Sequence, residues 1–526
     1  MGPAFLAAIP AAVSATTTAF AAGGALASGT LLGALARTAI GIALSLLAQK
    51  LIGAPKRPPS ETRTEVRQAV PPRSWPYGRL KTSGPLAFRQ AVDNNLYKVV
   101  MLSTREIDAI EELHLHDKPV EVSDGDNQVI TAPYVIAGTS RARLTWYLGT
   151  EDQAADAMLT AAFPDDWTAD HRLRGIAYVA AEFEATLNAE NFSKVYPQGE
   201  PEVSAVVRGV RVYDPRLDST VPGGSGAHRG DDPSTWEWSD NAALCVLDWL
   251  THPDGYARPI ARIDRGSFIL MADLCDEPVA LAAGGTEPRY RVATTVALTE
   301  QRKDVLGRLL EACDGRLYRT AAGLYGIRGG QWVAPTVTLD ADEGQITAIE
   351  FAPPDGIERY NKAVIQFLSP AHGWVEQECD PWVDQADIDA HGEKSQAYDF
   401  SQVPSHGQAR RLAKIRFARD NPAWKVTAQT NFYGLDTIGE EVVTLDFAEM
   451  LIDGPFWLDP GSAITEDWTG ASLQLRSADP TAYAWTTAEE GEAPALPPDT
   501  SEDAGWLLAT PGEYLEAQPG QNLEIA

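Results

Sequence analysis

Cysteine is scarce and poorly placed for bridging. Only Cys245, Cys275, Cys313 and Cys379 occur in 526 residues, widely spaced and without a C-x-x-C pair. That excludes a disulfide scaffold or a zinc ribbon and leaves them as reduced thiols in cores. Surplus positive charge is missing as well: 43 Lys and Arg face 73 Asp and Glu, a formal charge of −30. A protein that grips nucleic acid through its phosphates needs the opposite balance. There is no G-x-S-x-G, H-E-x-x-H or P-loop signature, and Gly284-Gly285-Thr286 does not continue as a dinucleotide fingerprint. The bias of a disordered chain is also absent, with 44% hydrophobic and 22% charged residues. At roughly 150 residues per domain, the length implies three or four domains.

The remaining chemical candidates are thin. His114 and His116 share one face if their segment is a strand, and two such histidines can begin a metal site, but no third ligand is identifiable. Asp387-x-Asp389-x-His391-Gly392 resembles the start of a calcium loop, yet its twelfth position is Tyr398 where a bidentate Glu is needed. It reads better as a polar turn, as does Pro164-Asp165-Asp166. Fourteen tryptophans are scattered along the chain and suit cores and interfaces. The expectation is no catalytic residue, no metal and no cofactor.

Charge is wholly absent from residues 1–36; Arg37 is the first charged side chain and Lys50 the next. A basic leader is lacking and the apolar stretch is too long for a signal peptide. Thr30–Gln49 has the length of a membrane span, but Arg37 falls in its middle. Every fourth residue reads Ala21, Ala25, Gly29, Gly33, Arg37, Gly41, Ser45. On a helix this is one stripe of mostly small side chains, a candidate self-association face in a bundle or a membrane. Residues 54–77 follow as a Pro-rich linker, in which prolines and charges alternate without apolar periodicity.

Strand-like alternation marks Lys98–Met101, Arg141–Leu148, Gly175–Leu187 and Ser204–Tyr213. Helical periodicity marks Asn241–Leu250, Arg265–Cys275 and Gln301–Cys313. Strands resume at Leu317–Arg328, Gly344–Phe351, Lys362–Leu368, Ala423–Thr430 and Glu441–Asp446. The expected fold is α+β, mainly β and multidomain. Its parts are an apolar helical segment over 1–53, the linker over 54–77, a β domain with inserts over 78–235, a small α/β middle domain over 236–343, a second β domain over 344–483, and an acidic Pro-rich extension over 484–526.

Four phrases carry a family resemblance. The first is Ile107-Asp108-Ala109-Ile110-Glu111 running into Leu113–Val120, a strand and hairpin. The second is Arg208-Gly209-Val210-Arg211-Val212-Tyr213-Asp214-Pro215-Arg216. The third is Asn241–Leu250 followed by Thr251-His252-Pro253-Asp254-Gly255. The fourth is Gly284-Gly285-Thr286-Glu287-Pro288-Arg289, then Gln301-Arg302-Lys303. In this order over about 200 residues they resemble the central hub, or tip attachment, proteins of lambda-type long-tailed bacteriophages.

The resemblance implies a structural, non-enzymatic protein whose two β domains are tube-like. It implies a homotrimeric ring that closes the tail tube at the distal end of the virion, assembled in the host cytoplasm. The implied partners are the distal tail protein, the tape measure protein, tail fibre or other tip proteins, and genomic DNA in transit. It also makes the histidine pair part of a hairpin. Many relatives continue into further host-reading modules, whereas the acidic extension here suits docking of a separate fibre protein. An acidic lumen would repel DNA phosphate, while acidity serves solubility equally well. Residues 1–53 would plug the lumen or enter the host membrane. Two other classes stay open. One is a membrane-anchored bacterial envelope binding protein, although Lys50, Lys56 and Arg57 favour a cytoplasmic flank after the apolar segment. The other is a glycan hydrolase, which needs two facing carboxylates.

Overall fold

Alternating burial organises the first part of the structure, a computed structural model that describes residues 71–185, 189–352, 359–459, 461–465 and 468–496. The chain divides into units 1–60 and 61–526, and all described residues belong to the second. The expected apolar segment over 1–53, with its stripe Ala25, Gly29, Gly33, Arg37, Gly41 and Ser45, lies outside the described residues. Among the described residues no helix is long and apolar enough to cross a membrane.

Strand β1 (Ser74–Tyr77) stands in the stretch read from composition as linker. Eight further strands build a sandwich: β2 (Arg79–Thr82), β3 (Leu86–Val92), β4 (Asn95–Ser103), β5 (Ala109–Leu115), β6 (Lys118–Val120), β7 (Ala142–Leu148), β8 (Ala177–Glu184) and β9 (Val203–Arg208). One sheet has the order β3-β4-β8-β7 and the other β2-β9-β5-β6. Along β8, Ala177, Val179, Ala181 and Phe183 enter the core between the sheets with Val100, Leu113, Leu144 and Val207. The intervening Tyr178 and Ala180 face a second cluster, where helix α1 (Ala157–Ala162) brings Met158 and Leu159 beside Phe163 and Trp167. A period of two with both faces covered is why β8 is apolar throughout.

The middle core is built on helix α2 (Ala242–Thr251). Residues 242–250 are all buried, as befits a helix that is apolar all round. The Asn241 side chain caps it, accepting from Ala243 N and Leu244 N at 3.1 and 3.4 Å. Helices α3 (Arg265–Asp276) and α4 (Arg302–Glu311) pack against it with Phe268, Met271, Val305 and Leu309. Strand β1 pairs antiparallel with β10 (Thr294–Ala297), which ties the start of the described chain to this core. The expected strand over 317–328 is a hairpin, β11 (Gly315–Arg319) and β12 (Tyr325–Gly329).

The rest is β13 (Thr338–Asp340), β14 (Ile346–Ala352), β15 (Lys362–Ser369), β16 (Val375–Val383), β17 (Ser395–Phe400), helix α5 (His406–Asp420), β18 (Lys425–Thr430), β19 (Val442–Phe447), β20 (Ile452–Leu458), β21 (Ala463–Ile464) and β22 (Ala471–Ser477). Seven of these form one sheet, six in the order β13-β19-β20-β22-β18-β14 and β21 paired to β22. Leu339, Val426, Ala428, Val443, Leu445 and Leu473 make its core. Between β14 and β18 the chain inserts a separate sheet, β16-β15-β17, on which α5 lies. That insert joins the core of α2 through Ile365, Tyr398, Leu412 and Ala413. Helix α5 was not foreseen, because its buried face carries Gln408, Arg410 and Arg411 beside few apolar residues. Gln408 replaces them with hydrogen bonds, accepting from Arg291 N (3.0 Å) and donating to the Arg291 and Ala312 carbonyls (2.8 Å each). The fold is α+β, mainly β, with several sheets.

Candidate functional site

The isolated chemical candidates do not assemble. His114 is buried in β5, with Nδ1 3.1 Å from the Asp117 carbonyl and Nε2 3.3 Å from Glu112. His116 sits in the β5–β6 turn at φ 48°, so the pair does not share a strand face. Asp387 and His391 lie on the short helix Gln385–His391, where Asp387 accepts from Asn361 and contacts His391. Asp165 and Asp166 occupy a turn. All four cysteines are buried free thiols, and burial pushes the Cys379 thiol up to about 12. No group of three His, Cys, Asp or Glu suited to a metal occurs among the described residues.

The four phrases, by contrast, meet at the joints of the molecule. The carboxylate of Asp108, from the first, reaches Arg208 (2.8 Å) and Arg211 (3.1 Å) of the second. Glu111 lies 2.5 Å from Arg79, and the Arg208 guanidinium sits 5.4 Å from the Trp238 ring centre. The backbone closes the same joint: Asp108 N donates to the Arg208 and Gly209 carbonyls, and Gly209 N to the Gly78 carbonyl at 2.8 Å. A Cβ on Gly209 would stand 2.2 Å from the Pro76 carbonyl oxygen, so only glycine permits this approach.

The third phrase supplies the centre. Asp248 is 2% exposed on α2. Its carboxylate takes two hydrogen bonds from Arg105 (2.7 and 3.2 Å) and one from the Tyr77 hydroxyl (2.5 Å). Burial alone would raise the Asp248 pKa, but the charge and hydrogen bonds of Arg105, with the Tyr77 hydroxyl, hold it below the usual carboxylate range. Burial and then Asp248 push Tyr77 well above its ordinary value. Arg105 also lies 5.3 Å from the Trp75 ring centre, and Trp75 in turn packs on Trp249 and His252. Desolvation and the Arg105 charge lower the His252 pKa. One residue from each of β1, the β4–β5 turn and α2 thus meets here, fixing the sandwich to the middle core.

The fourth phrase closes the far side. Thr286–Pro288 pairs with Pro278–Ala280 in a hairpin. Glu287 accepts from Ser405, the cap of α5, at 2.8 Å and pairs with the buried Arg411 at 2.9 Å. The Arg302 carbonyl accepts from Trp249 Nε1 at 3.1 Å.

Sequence reasoning found Asp108, Arg208, Gly209 and Asp248 as parts of phrases but missed Arg105, Tyr77 and Arg411. The available signal was Asp248 itself: a single carboxylate within an otherwise apolar helical run demands a buried partner. The network binds elements rather than substrates. A carboxylate held ionised by two donors and sealed from water neither gives nor takes a proton near neutrality.

No family model matches the chain. Among solved structures, a chain of the virion of a native gene transfer agent particle shares the fold at a TM-score of 0.55, with 16% identity, covering 87% of this chain and 98% of that one. Two others are the 43 kDa tail protein of prophage MuSo2 from Shewanella oneidensis and a tail protein from Neisseria meningitidis MC58. The first covers 78% of this chain and 99% of its own at 10% identity, and the second 82% and 98% at 10%. Their TM-scores are 0.28 and 0.30. The likeness to the virion chain is one of fold.

Proposed function

We propose that this chain is a structural hub of a phage-type tail tip. It forms a homotrimeric ring that closes the tail tube, joins the distal tail protein, the tape measure protein and tip or fibre proteins, and gives genomic DNA its exit channel. The observation that carries the reading is the fold shared with a virion chain over 87% of the length. The joints support it, because a ring that transmits load between sheets needs subdomains locked by buried ion pairs rather than hinged. The acidic excess supports it too: Asp340, Asp446 and Asp453 stand together on the seven-stranded sheet with Asp342 in the adjoining turn, and among the described residues no Lys or Arg pairs with them. Facing a lumen, such a group repels DNA phosphate.

Light scattering and negative-stain imaging of residues 61–526 test the reading. A mass of three protomers and a ring with a central hole are expected; a monomer at every concentration, with and without the distal tail protein, counts against it. Residues 1–53 plug the lumen or enter the host membrane on ejection. Virions whose chain starts at Ser60 should assemble but eject DNA poorly, and normal infection by them would refute that role.

A further inference from the structure

A cleft of about 700 Å³ opens between the β11–β12 hairpin and the seven-stranded sheet. Three arginines line it. Arg328 pairs with Glu441 at 3.3 Å, and Arg476 with Asp459 at 2.5 Å. The other nearby carboxylate, Glu440, accepts from Thr336 at 3.0 Å. Arg316 is left over: it stands directly opposite Arg328 in the hairpin, and among the described residues nothing accepts a hydrogen bond from it. Like charges facing each other across two strands are unfavourable, and an unpaired, half-buried guanidinium calls for an anion. Burial, and then the charge of Arg419, lower the Arg316 pKa, and the charges of Asp314 and Glu441 offset this only in part.

Apolar side chains line part of the cleft, among them Leu317, Ile438, Leu458 and Ile464, and exposed aromatic residues flank two of these along the chain. Ile438 on the rim is 60% exposed, and Phe432 and Tyr433, stacked at 4.5 Å, are exposed on the same turn. Trp468, 67% exposed, stands in the turn that follows β21, whose Ile464 lines the cleft. A ligand that fits carries carboxylates interleaved with large apolar side chains.

Residues 497–526 have that composition. They hold Asp499, Glu502, Asp503, Glu513, Glu516 and Glu524, no Lys or Arg, and the apolar runs Trp506-Leu507-Leu508 and Tyr514-Leu515. The stretch just before them already lies on the body: Glu489 pairs with Lys414, Glu490 accepts from Ala282 N, and the Ala495 carbonyl meets His372 at 3.0 Å. Thirty residues span up to about 100 Å when extended, so reach does not limit the match.

We propose that the cleft receives the chain's own acidic segment 497–526, with a carboxylate on Arg316 and apolar side chains against Ile438 and Ile464. The segment is then a self-docking arm, and a partner that takes it must first displace it.

Hydrogen–deuterium exchange on the full chain tests this, with a synthetic 499–516 peptide as the unprotected reference. Amides of 505–516 should exchange at least tenfold more slowly in the chain than in the peptide. Arg316→Gln and, separately, Ile438→Ser should restore the free-peptide rate while the body keeps its protection, and 0.5 M salt should weaken the docking. Free-peptide rates in the unaltered chain would overturn the proposal, as would protection that survives both substitutions. Protection that grows with protein concentration would also overturn it, by assigning the cleft to the segment of a second copy.

Discussion

Two groups of aspartates show how differently one side chain is used in this molecule. Asp248 is sealed inside α2 and yet kept ionised, because Arg105 and Tyr77 aim three hydrogen bonds at it. Asp446 stands on the seven-stranded sheet opposite Asp453 on one side and Asp340 on the other. Partial burial and then those neighbours push its carboxyl above the ordinary range. At Asp248 the partners outweigh the effect of burial, and at Asp446 the neighbours add to it. The first group spends its charge on holding the fold together, and the second leaves its charge facing outward, which suits a channel for a polyanion.

The largest expected effect comes from breaking the first group. Asp248→Ala leaves Arg105 buried without its counter-charge and should cost about 3–5 kcal/mol in denaturant unfolding. Asp248→Asn should cost nearly as much, since shape alone does not neutralise Arg105. Next is Gly209→Ala, which must move the Pro76 carbonyl away from the new Cβ; a loss of about 2–3 kcal/mol is expected, read as a fall in Tm.

The pH dependence sharpens the contrast. The folded pKa of Asp248 lies below its unfolded value, so its contribution is present above about pH 4 and is lost as the medium becomes more acid. His252 also has a lowered folded pKa, so the unfolded chain takes its proton first and stability falls as pH drops below about 6.5. Thermal melts at pH 7.5 and 5.5 should show that fall, and His252→Gln should flatten it. Asp446 has the opposite sign, its raised folded pKa favouring the fold only at low pH. The smallest effect is therefore Asp446→Asn: at pH 7 and low salt the melting temperature should hold or rise slightly, and the gain should vanish in high salt. A clear loss would mean that the acidic group is structural.

Much of the fold was legible where burial follows a period. Strands β4, β7, β8, β14, β15, β18 and β19 and helices α2 to α4 all follow apolar spacing, and the hairpin at His114–His116 was expected. Helix α5 was not legible, because its burial is achieved by Gln408, Arg410 and Arg411 satisfying backbone carbonyls and a carboxylate, a pattern with no one-dimensional signature. Strand β1 was hidden by Ser74-Trp75-Pro76-Tyr77, where a proline follows a linker-like run; it is a strand because β10 supplies its partner more than 200 residues away. The joint was half legible. The phrases that resemble the hub family contain Asp108, Arg208, Gly209 and Asp248, while Arg105 and Tyr77 become meaningful only when the fold brings them to Asp248.

The most direct test of the central claim is cryo-electron microscopy of virions from cells that carry the gene. The account predicts three copies of residues 71–496 in a ring at the distal end of the tail tube, with Asp340, Asp446 and Asp453 towards the channel. Particles that lack the chain, or a chain recovered only in the cell envelope, would contradict it.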